Sequence, residues 1–157
     1  MVPFHVSYYM SHYAGNKRAR FDFDILETFE AGLELLGTEV KSVRLGRAKL
    51  EGSYVVVRGG EAFLVGASIA AFQPINTAKG YDPERSRRLL LSPKELTLIH
   101  RQTEQAHLTA VPLSLYNKGR HIKLEFALAK GKKQADKRQS LKARDVKREI
   151  DRTLKSQ

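Results

Sequence analysis

The chain contains no cysteine and no run of eighteen apolar residues. Without thiols there is no disulfide framework, no thiolate zinc site and no sulfur nucleophile. That suits a reducing compartment, and a cytoplasmic location is the expectation. Without a long apolar run, no membrane span is expected. The opening stretch MVPFHVSYYMSHYAGNK has neither the basic start, the continuous apolar centre nor the small-residue cleavage site of a secretory signal. Also missing are the G-x-x-x-x-G-K-[ST] phosphate loop, the G-x-G-x-x-G turn and the G-x-S-x-G elbow. The five histidines, at positions 5, 12, 100, 107 and 121, lack metal-ligand spacing. No cofactor or metal is expected. Asp22 and Asp24 could pair as acid and base, but alternate carboxylates on a strand are more often surface charges. The chain reads as a binder and not an enzyme.

Acidic residues are scarce. Seventeen Asp and Glu face twenty-eight Lys and Arg, a net charge of +11 and a pI near 10.0. Such a balance narrows the partners to nucleic acid or an anionic membrane surface. The excess is uneven. The last 28 residues, Lys130 to Gln157, hold eleven basic and four acidic side chains, whereas the preceding 129 hold seventeen and thirteen. A nearly balanced body therefore carries a cationic tail. So few apolar residues cannot offset the tail's ordering entropy, which predicts a segment mobile when free. A polyanion is its expected partner, through counterion release. Val146, Ile150 and Leu154 nevertheless fall four apart, and Lys147–Asp151 and Asp151–Lys155 are i,i+4 pairs. A short helix of this kind is marginal in water, so docking must supply the rest. Two readings stay open: a helix that folds only inside an RNA-lined site, and a non-specific cationic tether.

Residues 1–15 read as an irregular arm with Phe4, Tyr8, Tyr9 and Tyr13 at no regular period. From Phe21 a period of two places Phe21, Phe23, Ile25, Phe29, Ala31, Leu33 and Leu35 on one face of a long strand, with Glu27 interrupting it and Gly32 a site for a bulge or bend. Thr38 is a candidate N-cap for a short helix stopped at Gly46. Its Val40 and Val43 face the core, and Lys41, Arg44 and Arg47 form a basic arc. Tyr54–Arg58 and Ala62–Gly66 flank Gly59-Gly60 as a hairpin. Residues 73–88 form a long polar loop with four basic side chains. Ser92-Pro93-Lys94-Glu95 is a capping box opening a helix to about Gln105, with Leu96, Ile99 and Thr103 on one face. Two strands, Leu108–Tyr116 and His121–Ala129, complete the body. Pro112 marks an edge or bulge, while Ile122, Leu124, Phe126 and Leu128 point inward. The fold class predicted is mainly β: a small antiparallel OB-like barrel over 16–129, with two or three short helices and a flexible basic tail over 130–157.

Candidate phosphate contacts are Asn16, Lys17, Arg18 and Arg20, the α-helical arc, Arg85, Arg87 and Arg88 in the loop, and Lys123. Tyr81 and Tyr116 are the candidate outward aromatics. With so few rings to stack single-stranded bases, a folded RNA recognised by shape and backbone is the expected partner.

The segments NKRARFDF, ETFEAGLELLGTEVKSVRLGRAKL, GSYVVV, YDPERSRRLLL, ALAKGKKQADKR and KAR-D-KREID occur in this order. Together they resemble the SmpB family, the SsrA-binding proteins of bacterial trans-translation. The resemblance runs from Asn16 to about Leu154. It implies an RNA-binding protein that takes the tRNA-like domain of transfer-messenger RNA (tmRNA) to stalled ribosomes. The barrel would stand in for the anticodon arm. The tail would become helical in the empty mRNA channel of the small subunit, near the decoding centre, and elongation factor Tu would deliver the charged complex. Position by position, it implies RNA-gripping roles for Asn16, Glu30, Leu90 and Lys123. In the tail, Lys130, Lys132 and Lys133 are its basic lead-in, Gly131 matches the hinge, Asp136, Lys137 and Arg138 match the motif near the decoding centre, and Leu154 belongs to the functional apolar stripe. Ala135 stands where many relatives carry a histidine or aromatic before D-K-R, and the arm 1–15 matches no motif. Two competing readings are a ribosomal-protein-like RNA binder whose tail is only an electrostatic anchor, and an RNA-processing enzyme using Asp22, Asp24 or His121.

Overall fold

The computed structural model describes residues 12–76 and 79–156. Phe4, Tyr8 and Tyr9, read as part of the irregular arm, lie outside them. In chain order the elements are β1 (His12–Gly15), α1 (Ala19–Asp22), β2 (Phe23–Leu33), α2 (Gly37–Arg44), β3 (Ala48–Lys49), β4 (Tyr54–Arg58), β5 (Glu61–Val65), β6 (Ser68–Ile69), β7 (Arg87–Leu90), α3 (Pro93–Glu104), β8 (Thr109–Lys118), β9 (His121–Gly131) and α4 (Gln134–Lys155). The fold is mainly β and antiparallel. Seven strands run in the order β1-β8-β4-β5-β7-β2-β9, and β8 also pairs with β9, so the order closes back on β8 with β1 alongside it. β3 and β6 form a separate pair.

β9 is the centre of the sheet. It carries apolar side chains on both faces, as a strand covered on both sides must. Ile122, Leu124, Phe126 and Leu128 enter the main core with Val43, Leu50, Leu64, Ile69, Ile99 and Leu115. Ala127 and Ala129 face the other way, into a smaller cluster with Ala19, Val111 and Leu113. Phe29 stands opposite Phe126, and the two rings stack with centroids 5.5 Å apart.

The expectation of a single apolar face from Phe21 to Leu35, interrupted at Glu27, is corrected. Phe21 lies in α1, and the β2–β9 register shifts between Ile25 and Glu27. One extra residue in a strand changes which face every later side chain occupies. Phe23 and Ile25 thus pack in the small cluster, whereas Phe29 and Leu33 pack on the main core, and Leu26 is exposed. The bulge falls here and not at Gly32, which stays in register with Lys123 and Leu90. In β8 a register shift between Pro112 and Ser114 matches the expectation from the proline's missing N–H. Residues 12–15, assigned to the irregular arm, instead pair with β8 as β1. β9 extends two residues past the expected barrel boundary, so Lys130 and Gly131 are ladder residues opposite Asp24 and Phe23.

The helices follow their sequence signals closely. Ser92 caps α3 by accepting from the Glu95 N–H at 3.3 Å, and the Glu95 carboxylate accepts from the Ser92 backbone at 3.4 Å. Ile99 of α3 is fully buried. α2 starts one residue before the expected cap: Leu36 precedes its first turn, and its N–H donates to the Glu39 carboxylate at 2.8 Å. Gly46 ends it in the left-handed region at φ +75°. Gly59 and Gly60, at φ +61° and +77°, make the β4–β5 turn.

Glu39 ties α2 to the segment before β7. It is 1% exposed and accepts from Arg87 Nε at 2.9 Å and Nη2 at 2.7 Å, from Arg85 Nε at 3.1 Å and from the Tyr81 hydroxyl at 3.2 Å. Arg87, 0% exposed, also donates to the Ala67 and Pro83 carbonyls, both at 2.8 Å. Burial alone pushes the Glu39 carboxyl up, but the hydrogen bonds from Arg85, Leu36 and Arg87 outweigh it and hold it below its ordinary value of 4.5. A buried pair is strongly destabilising when one partner is removed, because the other charge is stranded. Glu39→Ala is therefore expected to cost about 3–5 kcal/mol in urea unfolding, and an unchanged midpoint would refute the network's role. Since the folded carboxyl is lowered, its contribution is fully present above the ordinary value and fades as pH falls through the folded one. The Glu39→Ala deficit should accordingly shrink in acid.

Candidate nucleic-acid interface

The outward face of the β1–β8–β9–β2–β7 half of the sheet collects the polar residues singled out in the sequence. Two rows of paired positions cross it. One runs Gly15, Ser114, Glu125, Glu30, and the next runs His12, Tyr116, Lys123, Gly32, Leu90. Strands spaced about 4.8 Å apart make each row roughly 14–19 Å wide. Glu30, Leu90 and Lys123 are thereby brought together around Gly32. That position has no side chain: a Cβ there would meet Leu90 Cδ1 at 3.4 Å and Lys123 Nζ at 3.6 Å. An open cleft of about 320 Å³ adjoins it, with Leu33, Leu35, Val40, Leu90 and Ile122 as apolar walls and Arg120, His121 and Lys123 as a polar rim.

Glu30 directly opposes Glu125, an unfavourable pairing of like charges. Three neighbours relieve it. The Tyr116 hydroxyl donates to Glu30, Lys118 Nζ donates at 3.0 Å, and Lys123 adds its charge. Burial on its own raises the Glu30 carboxyl, yet these partners outweigh it and the net displacement is downward. Tyr116 moves the opposite way: burial, the hydrogen bond to Glu30 and the charges of Glu30 and Glu125 raise its hydroxyl. A carboxylate held ionised at a half-open position can accept hydrogen bonds from base edges or ribose hydroxyls, and the cations of Lys118, Lys123 and Arg120 beside it have the charge that pairs with phosphates.

Asn16 is a positioning residue. Its amide donates to the Pro112 carbonyl at 3.0 Å and its backbone N–H to Leu113 at 2.8 Å, fastening the turn after β1 onto β8. Lys17, Arg18 and Arg20 are exposed beside it, with Arg18 paired to Asp22 at 3.5 Å. Lys41 and Arg44 are exposed on α2 and Arg47 is exposed just past its end: Lys41 stands over the Phe72 ring at 5.4 Å, and Arg44 reaches the Arg120 carbonyl at 3.5 Å. The helix thus continues the cationic rim of the cleft.

The loop arginines and the two chosen tyrosines are corrected. Arg87 is buried on Glu39, Arg85 shares that carboxylate, and Arg88 bridges Glu34 at 3.0 Å and Glu61 at 3.3 Å. Arg85 and Arg87 are thus committed to a buried carboxylate, whereas Arg88 stays exposed in surface ion pairs. Tyr81 is half-buried, its hydroxyl donating to Ile69 at 2.8 Å, and Tyr116 is 5% exposed. The outward rings are instead Tyr54 and Phe63 on the β4–β5 hairpin, with Val56, Val65 and Arg58 around them. Strict alternation in YVVVR, with Val55 and Val57 packed inward, already carried that signal.

Asp22 and Asp24 lie at one end of the β2–β9 ladder, and His121 begins β9 at the other. Ten residues of strand, about 33 Å, separate them, so the three do not share a site. Among the described residues no cluster of His, Asp and Glu could hold a metal ion.

In the tail, Lys133 is the residue before α4, Asp136 and Lys137 lie in its first turn, and Arg138 follows. Among the described residues α4 buries none, and Leu154, 65% exposed, sits at its far end.

The family model described as SmpB protein matches residues 13–156. The chain belongs to the SmpB family. It is 46% identical over 140 residues to the SsrA-binding protein of Microcystis aeruginosa, covering 89% of this chain and 91% of that protein. It is equally 46% identical to the SsrA-binding protein of Mesoplasma florum, covering 89% and 94%. A chain in the solved structure "tmRNA-SmpB: a journey to the center of the bacterial ribosome" is similar at a TM-score of 0.64 and 40% identity, over 81% of this chain and 92% of that one. In this SmpB-family chain the outward sheet face around Glu30 is the site to test. Tyr116→Phe is expected to raise the Glu30 pKa toward 4.5 by removing one of the donors that lower it. A carboxyl-detected NMR titration measures this, and an unmoved value would leave the lysines as the sole cause.

Proposed function

We propose that this chain binds the tRNA-like domain of tmRNA (SsrA RNA) and brings it to stalled ribosomes for trans-translation. The observation that carries the reading is the gathering of Glu30, Leu90 and Lys123 around Gly32 on one outward sheet face, within a family named for SsrA binding. A generic polyanion binder has no use for a carboxylate kept ionised in the middle of its interface. A selective one does, because a fixed acceptor rejects phosphate and accepts sugar and base donors.

In this reading the closed strand order is an OB-like barrel over residues 16–131 that mimics the anticodon arm, and Asn16, Lys17, Arg18 and Arg20 extend its RNA contact. Residues 132–157 form the ribosome-facing tail, with Lys132, Lys133, Asp136, Lys137, Arg138 and Leu154 used in the decoding centre and mRNA channel. The tail is loose until it enters that channel. The complex works in the cytoplasm, without catalysis by this protein and with elongation factor Tu as an indirect partner through the charged RNA. Val146, Ile150 and Leu154 are 54–65% exposed, an apolar stripe suited to a channel wall.

Two measurements test the two halves. Glu30→Ala should weaken binding to the tRNA-like domain about tenfold, or 1.4 kcal/mol. Long-range electrostatics predicts tighter binding from the more positive variant, so unchanged or improved affinity removes Glu30 from the interface. Truncation after Gly131 should leave that affinity within about twofold and abolish rescue of stalled ribosomes in a reconstituted translation assay. Loss of RNA binding in proportion to the charge removed would make the tail an electrostatic anchor.

A further inference from the structure

The two outward rings of the β4–β5 hairpin lie outside the cleft beside Gly32, yet they continue its face. We propose that this hairpin face is a stacking platform for an unpaired nucleotide of the bound RNA, with Tyr54 and Phe63 as the rings and Arg58 as the phosphate contact. The platform rests on the reading that the sheet face grips RNA, and it adds a second kind of contact.

The row through Gly32 does not stop at Leu90. In the β5–β7 ladder Ala62 faces Leu89 and Phe63 faces Arg88, which brings Glu61 level with Leu90. Glu61 pairs in turn with Arg58 on β4. Arg58 therefore lies two strand spacings, about 10 Å, from Leu90. Two residues along, and so on the same face, the next row runs Arg88, Phe63, Val56, and beyond it Tyr54 pairs with Val65. A solvated sheet face is ordinarily polar. Here Tyr54, Val56, Phe63 and Val65 make it apolar and aromatic. Tyr54 is 47% exposed, and these four side chains, with Arg58 and Ser86, line an open cleft of about 480 Å³.

Arg58 decides what such a face takes. Its cross-strand neighbour Glu61 turns to Arg88, at 3.3 Å, and Arg88 also holds Glu34. Among the described residues Arg58 is thereby left without an ion pair. An unpaired guanidinium beside two rings suits a nucleotide, whose base stacks on a ring while its phosphate pairs with the cation. An apolar peptide would leave that charge unanswered. Position favours the same occupant. Tyr54 also lines a second cleft, of about 440 Å³, together with Asn16 and Arg18. The ring thus stands between the hairpin face and the cationic turn after β1. A base splayed out of a folded RNA is the kind of ligand that exposed rings accept, whatever its sequence.

The test titrates the full chain with hexauridylate, which offers bases and no fold, and with the tRNA-like domain. Tyr54→Leu and Phe63→Leu should each weaken hexauridylate binding about tenfold and leave its salt dependence unchanged. Arg58→Gln should instead reduce the slope of log affinity against log salt by about 0.7. Tyr54→Phe keeps the ring and should bind within about twofold, which separates stacking from a hydroxyl contact. Tyr54→Leu should also weaken the tRNA-like domain several-fold. Glu30→Ala reports separately on the grip around Gly32, and should weaken the tRNA-like domain but not hexauridylate. Loss with Glu30→Ala and none with Tyr54→Leu would overturn the platform alone, and no loss with either would overturn both. An effect confined to hexauridylate would overturn the assignment to the same RNA. A dimer in sedimentation that Tyr54→Leu dissociates would give the face to a second copy and overturn the proposal.

Discussion

One strand, His121–Gly131, has to satisfy two ladders and two apolar clusters at once. It pairs with Phe23–Leu33 on one edge and with Thr109–Lys118 on the other. Ile122, Leu124, Phe126 and Leu128 fill the main core, and two alanines let the first short helix sit close against its reverse side. Lys123 and Glu125 point outward only because Leu124 and Phe126 must point in, and the register of the flanking strands follows. Slipping this strand by one position would bury Lys123 and Glu125 and expose Phe126, which no rearrangement elsewhere could offset. The positions of Glu30, Leu90 and Tyr116 on a common face are consequences of that single register.

Charge is handled in two ways. Within the body much of it is paired: Glu39 absorbs two arginines, Arg88 is shared by two glutamates, and Glu30 is balanced by Lys118 and Tyr116. Along the last helix it is displayed, with eight of the eleven basic tail residues in an element that buries nothing. Balanced charge orders the loop before β7, whereas unbalanced charge remains available to an external polyanion. The same side-chain type thus does opposite work according to whether a carboxylate lies within reach.

Local signals were legible where they were self-contained. The Ser92–Glu95 box, the Gly59-Gly60 turn and the inward alternation of Ile122 to Leu128 each depend on neighbours a few residues away. The bulge at Leu26 was not legible, because a continuing period of two looks the same whether or not a residue has been inserted against a distant partner. Nor could a stretch rich in Arg85, Arg87 and Arg88 reveal that its counter-charge, Glu39, lies more than forty positions earlier. Tyr116 was misread for a related reason: the ring is outward, but a carboxylate from the first long strand and the edge strand beside it close it over. The interface residues Glu30 and Leu90 had no signature of their own and were reached through the family resemblance, since an exposed glutamate and an exposed leucine are ordinary on any sheet.

The final helix has 22 residues and hence a length of about 33 Å, carried on a two-residue connection. It acts as a lever whose fulcrum is at the barrel's rim. A tilt of about 10° at the base displaces Leu154 by roughly 6 Å, close to one full turn of helix. Small adjustments in Lys132 and Lys133 are thereby magnified into steps on the scale of a side-chain register at the distant tip.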